Sequence, residues 1–360
     1  MRLLQASDMH LDSPFATLDD DLARARRQDQ MATFQRLVEV AREETLDALL
    51  LPGDLFEHRS TRLGTVKWTM DLLATLAPLP VLIAPGNHDP IQKASFWSLE
   101  RPDNVRVFSD SWQVEEVGGA RIWGRGFGEE HEPDDPLASF PPAERPDVLV
   151  FHGDLDKTAA ESRYAPFSRA RLGELGAIWA AVGHIHKPGA IGDLGAYAGS
   201  LEPLGFDEPG PHGAVLVELD LASRQKKWRF LPLARSRYET VVLDLAGRSD
   251  EDALADFHAQ TADWDPAHTL IRVELVGPGA ETGWPASRWQ GEVGGAWQAA
   301  EIRDQRLPPV DLNDPFTVRG RYAQRLLAEI AEADGKERQL LTLALRIGLQ
   351  ALEGRRAGDH

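Results

Sequence analysis

Residues 179–189 read "WAAVGHIHKPG". A run of small and apolar residues ends in a glycine, two histidines one residue apart, and then Lys-Pro. The run has the length and composition of a strand buried on both faces. His184 and His186 therefore stand at its carboxyl end. Taken alone, the pair is equally a metal-binding element or polar punctuation after a strand. The rest of the chain decides, because it repeats the arrangement.

"RLLQASD" (2–8) is a strand candidate that ends in Asp8 and leads to His10. "DALLLPGD" (47–54) ends in Gly53-Asp54, "PVLIAPGNHD" (80–89) in Gly-Asn87-His88-Asp89, and "DVLVFHGD" (147–154) in His152-Gly-Asp. "AIWAAVGHIH" (177–186) is the fifth of the series. Between the early strands, residues 28–44 place Met31, Phe34, Leu37, Val38 and Ala41 at helical spacing. Residues 63–76 read as a second helix, stopped by Pro78 and Pro80. "RIWGRGFGEE" and "GAVLVELDL" add further strands. Strands alternating with helices predict an α/β layered fold.

In open α/β sheets, ligands collect outside the carboxyl ends of the strands. Five such ends carry His, Asp or Asn, and five of the eleven histidines fall there. A single Asp beside Gly is usually a turn or cap residue, and a lone strand-end His is usually structural. The recurrence at five ends is what favours convergence on one rim. The neighbouring glycines permit tight turns and close backbone approach.

Asp8, His10, Asp54, Asn87, His152, His184 and His186 form an oxygen and nitrogen donor set large enough for two divalent ions. Asp54, on the central loop, is the natural bridging carboxylate. A mixed set without sulfur suits Mn²⁺, Fe²⁺ or Zn²⁺ better than Mg²⁺ alone. His88 is left over from the set and could protonate a leaving oxygen or stabilise charge in the transition state. Asp89 beside it is expected to orient that imidazole. The chain has no cysteine, which excludes disulfides, thiolate zinc sites, iron–sulfur clusters and a cysteine nucleophile.

The ordered set Asp-x-His, Gly-Asp, Gly-Asn-His-Asp, His and Gly-His-x-His resembles the signature of the calcineurin-like metallophosphoesterases. The fuller wording "SDMHLDSPF", "PGDLFEHRST", "PGNHDP", "VGHIHKPG" and "YAGSLEPLGFDE" is similar to the SbcD-type DNA-repair nucleases, with "HLDSPF" nearest the YhaO-like branch. The likeness is strong over about residues 1–210. It implies a two-sheet β-sandwich flanked by helices. It implies one metal held by Asp8, His10, Asp54 and His186, another by Asp54, Asn87, His152 and His184, and His88 as the catalytic histidine. It further implies Mn²⁺-dependent hydrolysis of DNA phosphodiesters, as exonuclease or endonuclease. Such enzymes act in a homodimer with an SMC-like ABC ATPase of the SbcC type, bound through C-terminal helices. Where some relatives carry a His three residues after the bridging Asp, this chain has Glu57. His58 and Arg59 beside it are candidate substrate contacts. Asp12 stands where many relatives have Gly.

A second unit is expected near Tyr238, where "YETVVLDL", a helix over 250–262 and "TLIRVELVG" read as strand–helix–strand. Residues 277–296, rich in Gly, Trp and Pro, are expected to form loops. Residues 339–354 read as a helix with a Leu stripe. The expected division is therefore a nuclease domain over 1–235, a small α+β capping domain over 236–312, and a C-terminal helical partner-binding segment over 313–360.

An apolar content of 42% and a charged content of 27% are those of a folded protein. The N-terminus meets Asp8 before any signal-like apolar run can form, and no stretch is long enough to span a bilayer. With the absence of cysteine, this predicts a cytoplasmic protein. The net charge of −18 opposes long-range attraction to nucleic acid. Three candidate patches could offset it, Arg24/Arg26/Arg27, Arg59/Arg62/Lys67 and Arg121/Arg125, although a run of this kind is more often a solvated surface. Residues 319–356 hold eight Lys or Arg against five Asp or Glu. Two other functions compete with the nuclease: a phosphodiesterase for nucleotides or other small substrates, and a scaffold that binds DNA ends or an ATPase.

Overall fold

A computed structural model describes residues 1–57, 59–92, 95–142, 144–277, 283–307 and 316–352. Their contacts divide into two compact units, Met1–Arg237 and Tyr238–His360.

The first unit holds two six-stranded sheets. Across the first run Gln225–Pro232, Gly213–Asp220, Arg2–Gln5, Ala48–Leu51, Val81–Ile83 and Val105–Val107. The last four are parallel, and Gly213–Asp220 is antiparallel to Arg2–Gln5. Across the second run Gln113–Val117, Ala120–Arg125, Val148–His152, Trp179–Gly183, Gly195–Tyr197 and Gly189–Ala190. The fold is thus α/β, with two sheets flanked by helices.

Alternation along the strands explains the layers. Leu3, Leu50 and Leu82 face Ile122, Val148, Val150 and Trp179 of the opposite sheet and form the core between the sheets. Leu4, Leu49, Leu51 and Ile83 point the other way, onto Phe34, Leu37, Val38, Val66 and Leu73 of two helices. Leu149, Phe151, Ala180 and Val182 back onto Phe140, Phe167 and Leu172. Each fully buried Leu, Val or Ile contributes about 1.5–3 kcal/mol. These strands therefore carry apolar residues on both faces, as the continuous runs foretold.

One polar residue crosses the sheet interface. Gln5 donates to Ala196 O at 2.8 Å and accepts from Trp179 Nε1 at 3.1 Å. A buried, satisfied amide tolerates little sliding. It locks the strand that leads to Asp8 and His10 against the sheet that carries His184 and His186.

The first helix spans Asp20–Glu43, eight residues earlier than the apolar spacing alone places it. Asp19 caps it, accepting from Asp21 N and Leu22 N, and acidic residues fill its first turn. The buried face of that extension is polar: Arg26 is fully buried against Asp29 and Glu202, so hydrophobic periodicity does not reveal it. Leu63–Ala74 is helical as expected.

The second unit contains a three-stranded sheet, Arg237–Asp244, Thr269–Val276 and Ala299–Asp304, with a helix at Asp250–Gln260. Within the stretch read as loops, Ala286–Gly294 is a helix. Its glycines lower its propensity, but Trp289 and Val293 share one face and are buried, and Trp289 Nε1 donates to Asp250 at 3.0 Å. Helices Val318–Glu332 and Gly335–Leu352 pack around Ala323, Leu345 and Leu349. No helix among the described residues is long and apolar enough to cross a membrane.

Candidate dinuclear metal centre

The five donor-bearing strand ends meet. Asp8, His10 and His186 place ligand atoms within 4.8 Å of one another, as do Asp8, Asp54 and His152. Asp54 Oδ2 lies 3.6 Å from His10 Nε2 and 3.3 Å from His152 Nε2, so one carboxylate oxygen faces both groups. Asn87 Oδ1 is 3.0 Å from His152 Nε2. His184 completes this side, its ring 5.2 Å from that of His152. Six of the seven predicted donors are thus tied by direct polar distances, and His184 joins through its ring.

Local backbone geometry is unusual at these positions. Asp8, His10, Asp54 and His184 adopt φ values of 52°, 45°, 53° and 104°. Such conformations cost about 1–3 kcal/mol each and persist where surrounding structure enforces them. Backbone hydrogen bonds supply that enforcement. His184 N donates to Asp8 Oδ1 at 2.9 Å, and His88 N donates to Asp54 Oδ1 at 2.8 Å. Gly86 is needed because a Cβ there would sit 2.2 Å from Asp54 Oδ1. Asp12 also has a left-handed φ, 66°, a conformation that favours Gly. Asp tolerates it here because its carboxylate accepts from Arg62 and Thr65.

The donor set fits a divalent cation. Asp8 Oδ2 is buried with no hydrogen-bond partner among the described residues, an expensive condition for a carboxylate oxygen. His10 Nε2 and His186 Nε2 face each other at 3.1 Å. Two lone pairs so close require a proton or a cation between them. Burial penalises charge on His152, but the Asp54 carboxylate outweighs it and raises its pKa to about 9. His186 is also buried, and its Glu208 contact lifts it to about 9. His184 is driven down to about 3 by burial and by His152. Asp54 is buried, yet the surrounding imidazoles hold it far below the usual carboxylate range.

His88 lies beside the cluster, its ring 4.7 Å from that of His10. Its Nδ1 is 3.0 Å from Glu57 Oε1, and that contact raises its pKa. The other Glu57 oxygen is 3.2 Å from His10 Nδ1. Glu57 is buried enough to resist ionisation, but the two histidines lower it to about 2.

This corrects the role expected of Asp89. That carboxylate does not meet His88. Its oxygens accept from Gly86 N, Leu55 N and Phe56 N, which ties the Asn87 loop to the Asp54 loop. Burial, followed by the Asp54 charge, pushes Asp89 up to about 7. Glu57 takes the orienting position. Its one sequence signal was its place three residues after Asp54.

The candidate substrate contacts fare differently. His58 lies outside the described residues. Arg59 is exposed and bonded to both oxygens of Glu130 at 3.1 and 3.0 Å. Most of the other cations in the three basic patches are similarly engaged: Arg24 with Asp21, Arg26 with Glu202, Arg62 with Asp12, Lys67 with Asp71, Arg121 with Glu144 and Arg125 with Glu132. Arg27 donates to Pro14 O. The patches are charge-paired, in keeping with 57 Asp and Glu against 39 Lys and Arg in the chain.

Two supporting residues went unpredicted. Tyr197 Oη donates to Gly153 O at 2.8 Å and accepts from Leu155 N at 3.1 Å, fixing the loop after His152. Glu208 accepts from His186.

The chain is 26% identical over 236 residues to the uncharacterized metallophosphoesterase YhaO of Bacillus subtilis, covering 61% of this chain and 57% of that protein. It is 28% identical over 294 residues to the DNA double-strand break repair protein Mre11 of Methanopyrus kandleri, covering 71% and 61%. Against Mre11 of Haloferax volcanii it is 28% identical over 297 residues, covering 78% and 63%. The match therefore spans about three-fifths of the length of these relatives. Residues 1–188, just over half of the chain, match the profile of the calcineurin-like phosphoesterases. The chain belongs to the calcineurin-like phosphoesterase family.

Proposed function

We propose that this phosphoesterase is a Mn²⁺-dependent DNA nuclease that hydrolyses phosphodiesters during DNA end processing. The observation that carries the reading is Asp54 Oδ2, poised between His10 and His152 in a chain whose relatives include Mre11 proteins. Asp8, His10, Asp54 and His186 would hold one ion, and Asp54, Asn87, His152 and His184 the other. Divalent ions bound there would supply an activated water and offset phosphate charge. The chain's own residues do the rest. His88, kept protonated by Glu57, donates to the leaving oxygen. Glu57 holds its Nδ1, which leaves Nε2 as the nitrogen that gives up the proton. Asp89 keeps the Asn87 and Asp54 loops in register.

Further parts of the reading concern assembly. Residues 236–312 would act as a capping domain and residues 313–360 as a docking segment for an SMC-like ABC ATPase, in a homodimer. Leu340, Leu343 and Ile347 are exposed on the helix Gly335–Leu352, which supports that docking role. The test of function is nuclease assay on linear duplex and single-stranded DNA with Mn²⁺. Turnover of nucleotides or small diesters with none on DNA would overturn it.

One observation favours the second reading, a phosphodiesterase for small substrates. The net charge is −18 and the basic patches are paired with carboxylates. If that reading holds, a chromogenic diester turns over rapidly and added DNA does not compete.

A further inference from the structure

We infer that Glu208 is a positioning residue that sets the tautomer of His186 and thereby the affinity of one of the two metal positions. The inference rests on the dinuclear reading above and names a control residue outside the donor set.

The arrangement is a chain of buried polar groups. His186 Nδ1 is 2.6 Å from Glu208 Oε1. Glu208 Oε2 accepts from Ser200 Oγ at 2.6 Å and from the Leu204 N–H at 3.1 Å. Ser200 Oγ is also 2.9 Å from His212 Nδ1, and His212 Nε2 is 3.0 Å from Glu208 O. Glu208 is 8% exposed, Ser200 fully buried and His212 1% exposed. The Ser200 end is anchored to the first sheet, since Ser7 bridges Ser200 and its Oγ donates to Gly199 O. A short charge-assisted bond in such a setting is strong and directional.

The consequence follows from the donor inventory of imidazole. A carboxylate at Nδ1 accepts only, so Nδ1 holds a proton and Nε2 is the nitrogen left to give its lone pair to an ion. Nε2 is the atom facing His10 Nε2 and, at 4.0 Å, Asp8 Oδ1. Glu208 therefore readies the ligand atom of the group Asp8, His10 and His186. It has no contact with His152, Asn87 or His184 on the other side. Partners of this kind change metal affinity by about 10–100-fold when removed.

Glu208→Gln separates this from simple packing. The Leu204 N–H is a fixed donor, so the amide oxygen must occupy the position of Oε2. The amide NH₂ then points at His186 Nδ1 and demands an acceptor there. That puts the imidazole proton on Nε2, where it blocks the ion. Glu208→Asp retains the acceptor and restores part of the affinity.

Mn²⁺ binding to the full chain is measured by titration calorimetry and by electron paramagnetic resonance, alongside melting of the metal-free protein. The expected result for Glu208→Gln is one ion weakened by about 10–100-fold and the other unchanged. The spin-coupled pair signal should give way to that of an isolated ion, with melting of the metal-free protein unaltered. Wild-type affinity for both ions in Glu208→Gln overturns the assignment. So does equal loss of both ions with a lowered melting temperature, which would mark a structural role. Fewer than two ions on the wild type would instead sink the dinuclear reading, and the selectivity claimed here with it.

Discussion

Replacing His88 with Ala separates proton delivery from metal retention, because the structure divides the residue's two roles between backbone and side chain. The His88 backbone N–H, which Ala keeps, donates to Asp54 Oδ1 at 2.8 Å. The side chain gives up its 3.0 Å contact with Glu57, whose other oxygen remains 3.2 Å from His10, and its edge contact with the His10 ring. The Glu57 contact to His10 and the backbone bond to Asp54 both remain. The whole effect should fall on proton transfer, typically about 10²–10⁴-fold, or about 3–5 kcal/mol in the barrier. The assay compares kcat on linear DNA and on an aryl phosphodiester, with Mn²⁺ content measured in both proteins. A DNA alkoxide needs a proton to depart, whereas an aryl oxide leaves with little help. The expected outcome is the full loss on DNA, a loss below about tenfold on the aryl diester, and unchanged metal content. Equal losses on both substrates, or metal depleted with the imidazole, would refute the reasoning.

Mn²⁺ at a hundred times its dissociation constant should stabilise the fold by about 2.7 kcal/mol per site; a melting curve indifferent to Mn²⁺ and to chelator would contradict the metal reading. Gly86→Ala forces a methyl to within 2.2 Å of Asp54 Oδ1. A loss of about 1–3 kcal/mol with weakened metal retention is expected, and a wild-type urea midpoint would show that the loop absorbs it. Glu202→Ala removes the acceptor of two 3.0 Å bonds from the fully buried Arg26. Its expected cost is about 3–5 kcal/mol by urea unfolding, with the metal-binding stoichiometry intact in the folded fraction. A shift within about 0.5 kcal/mol would mean that Asp29 suffices as partner.

Much of this molecule is legible in its sequence because two of its signals are local. Parallel strands buried on both faces must be continuous apolar runs, and donors at their carboxyl ends must collect on one rim. Asp8, His10, Asp54, Asn87, His152, His184 and His186 follow from those rules, since all seven stand at or just beyond the carboxyl ends of five strands. The residues that control them do not. Glu57 turns toward His10 and His88, and Glu208 toward His186, across separations of 47, 31 and 22 positions. No periodicity encodes which carboxylate reaches which imidazole. Asp89 shows the converse: adjacency to His88 pointed to a partnership, but its side chain turns inward to three backbone N–H groups. The first turns of the Asp20–Glu43 helix were hidden because their inward face is an ion-paired arginine, and the Ala286–Gly294 helix because its glycines mask two apolar anchors. The basic patches look available when counted along the chain, but Arg24 and Lys67 pair within a helical turn, and folding brings distant carboxylates to Arg26, Arg59, Arg62 and Arg121. Sequence thus determined the chemistry of the donors and the end of the sheet where they gather. Tertiary structure alone decided their partners, because hydrogen bonds and ion pairs depend on distances of a few ångströms that chain separation does not specify.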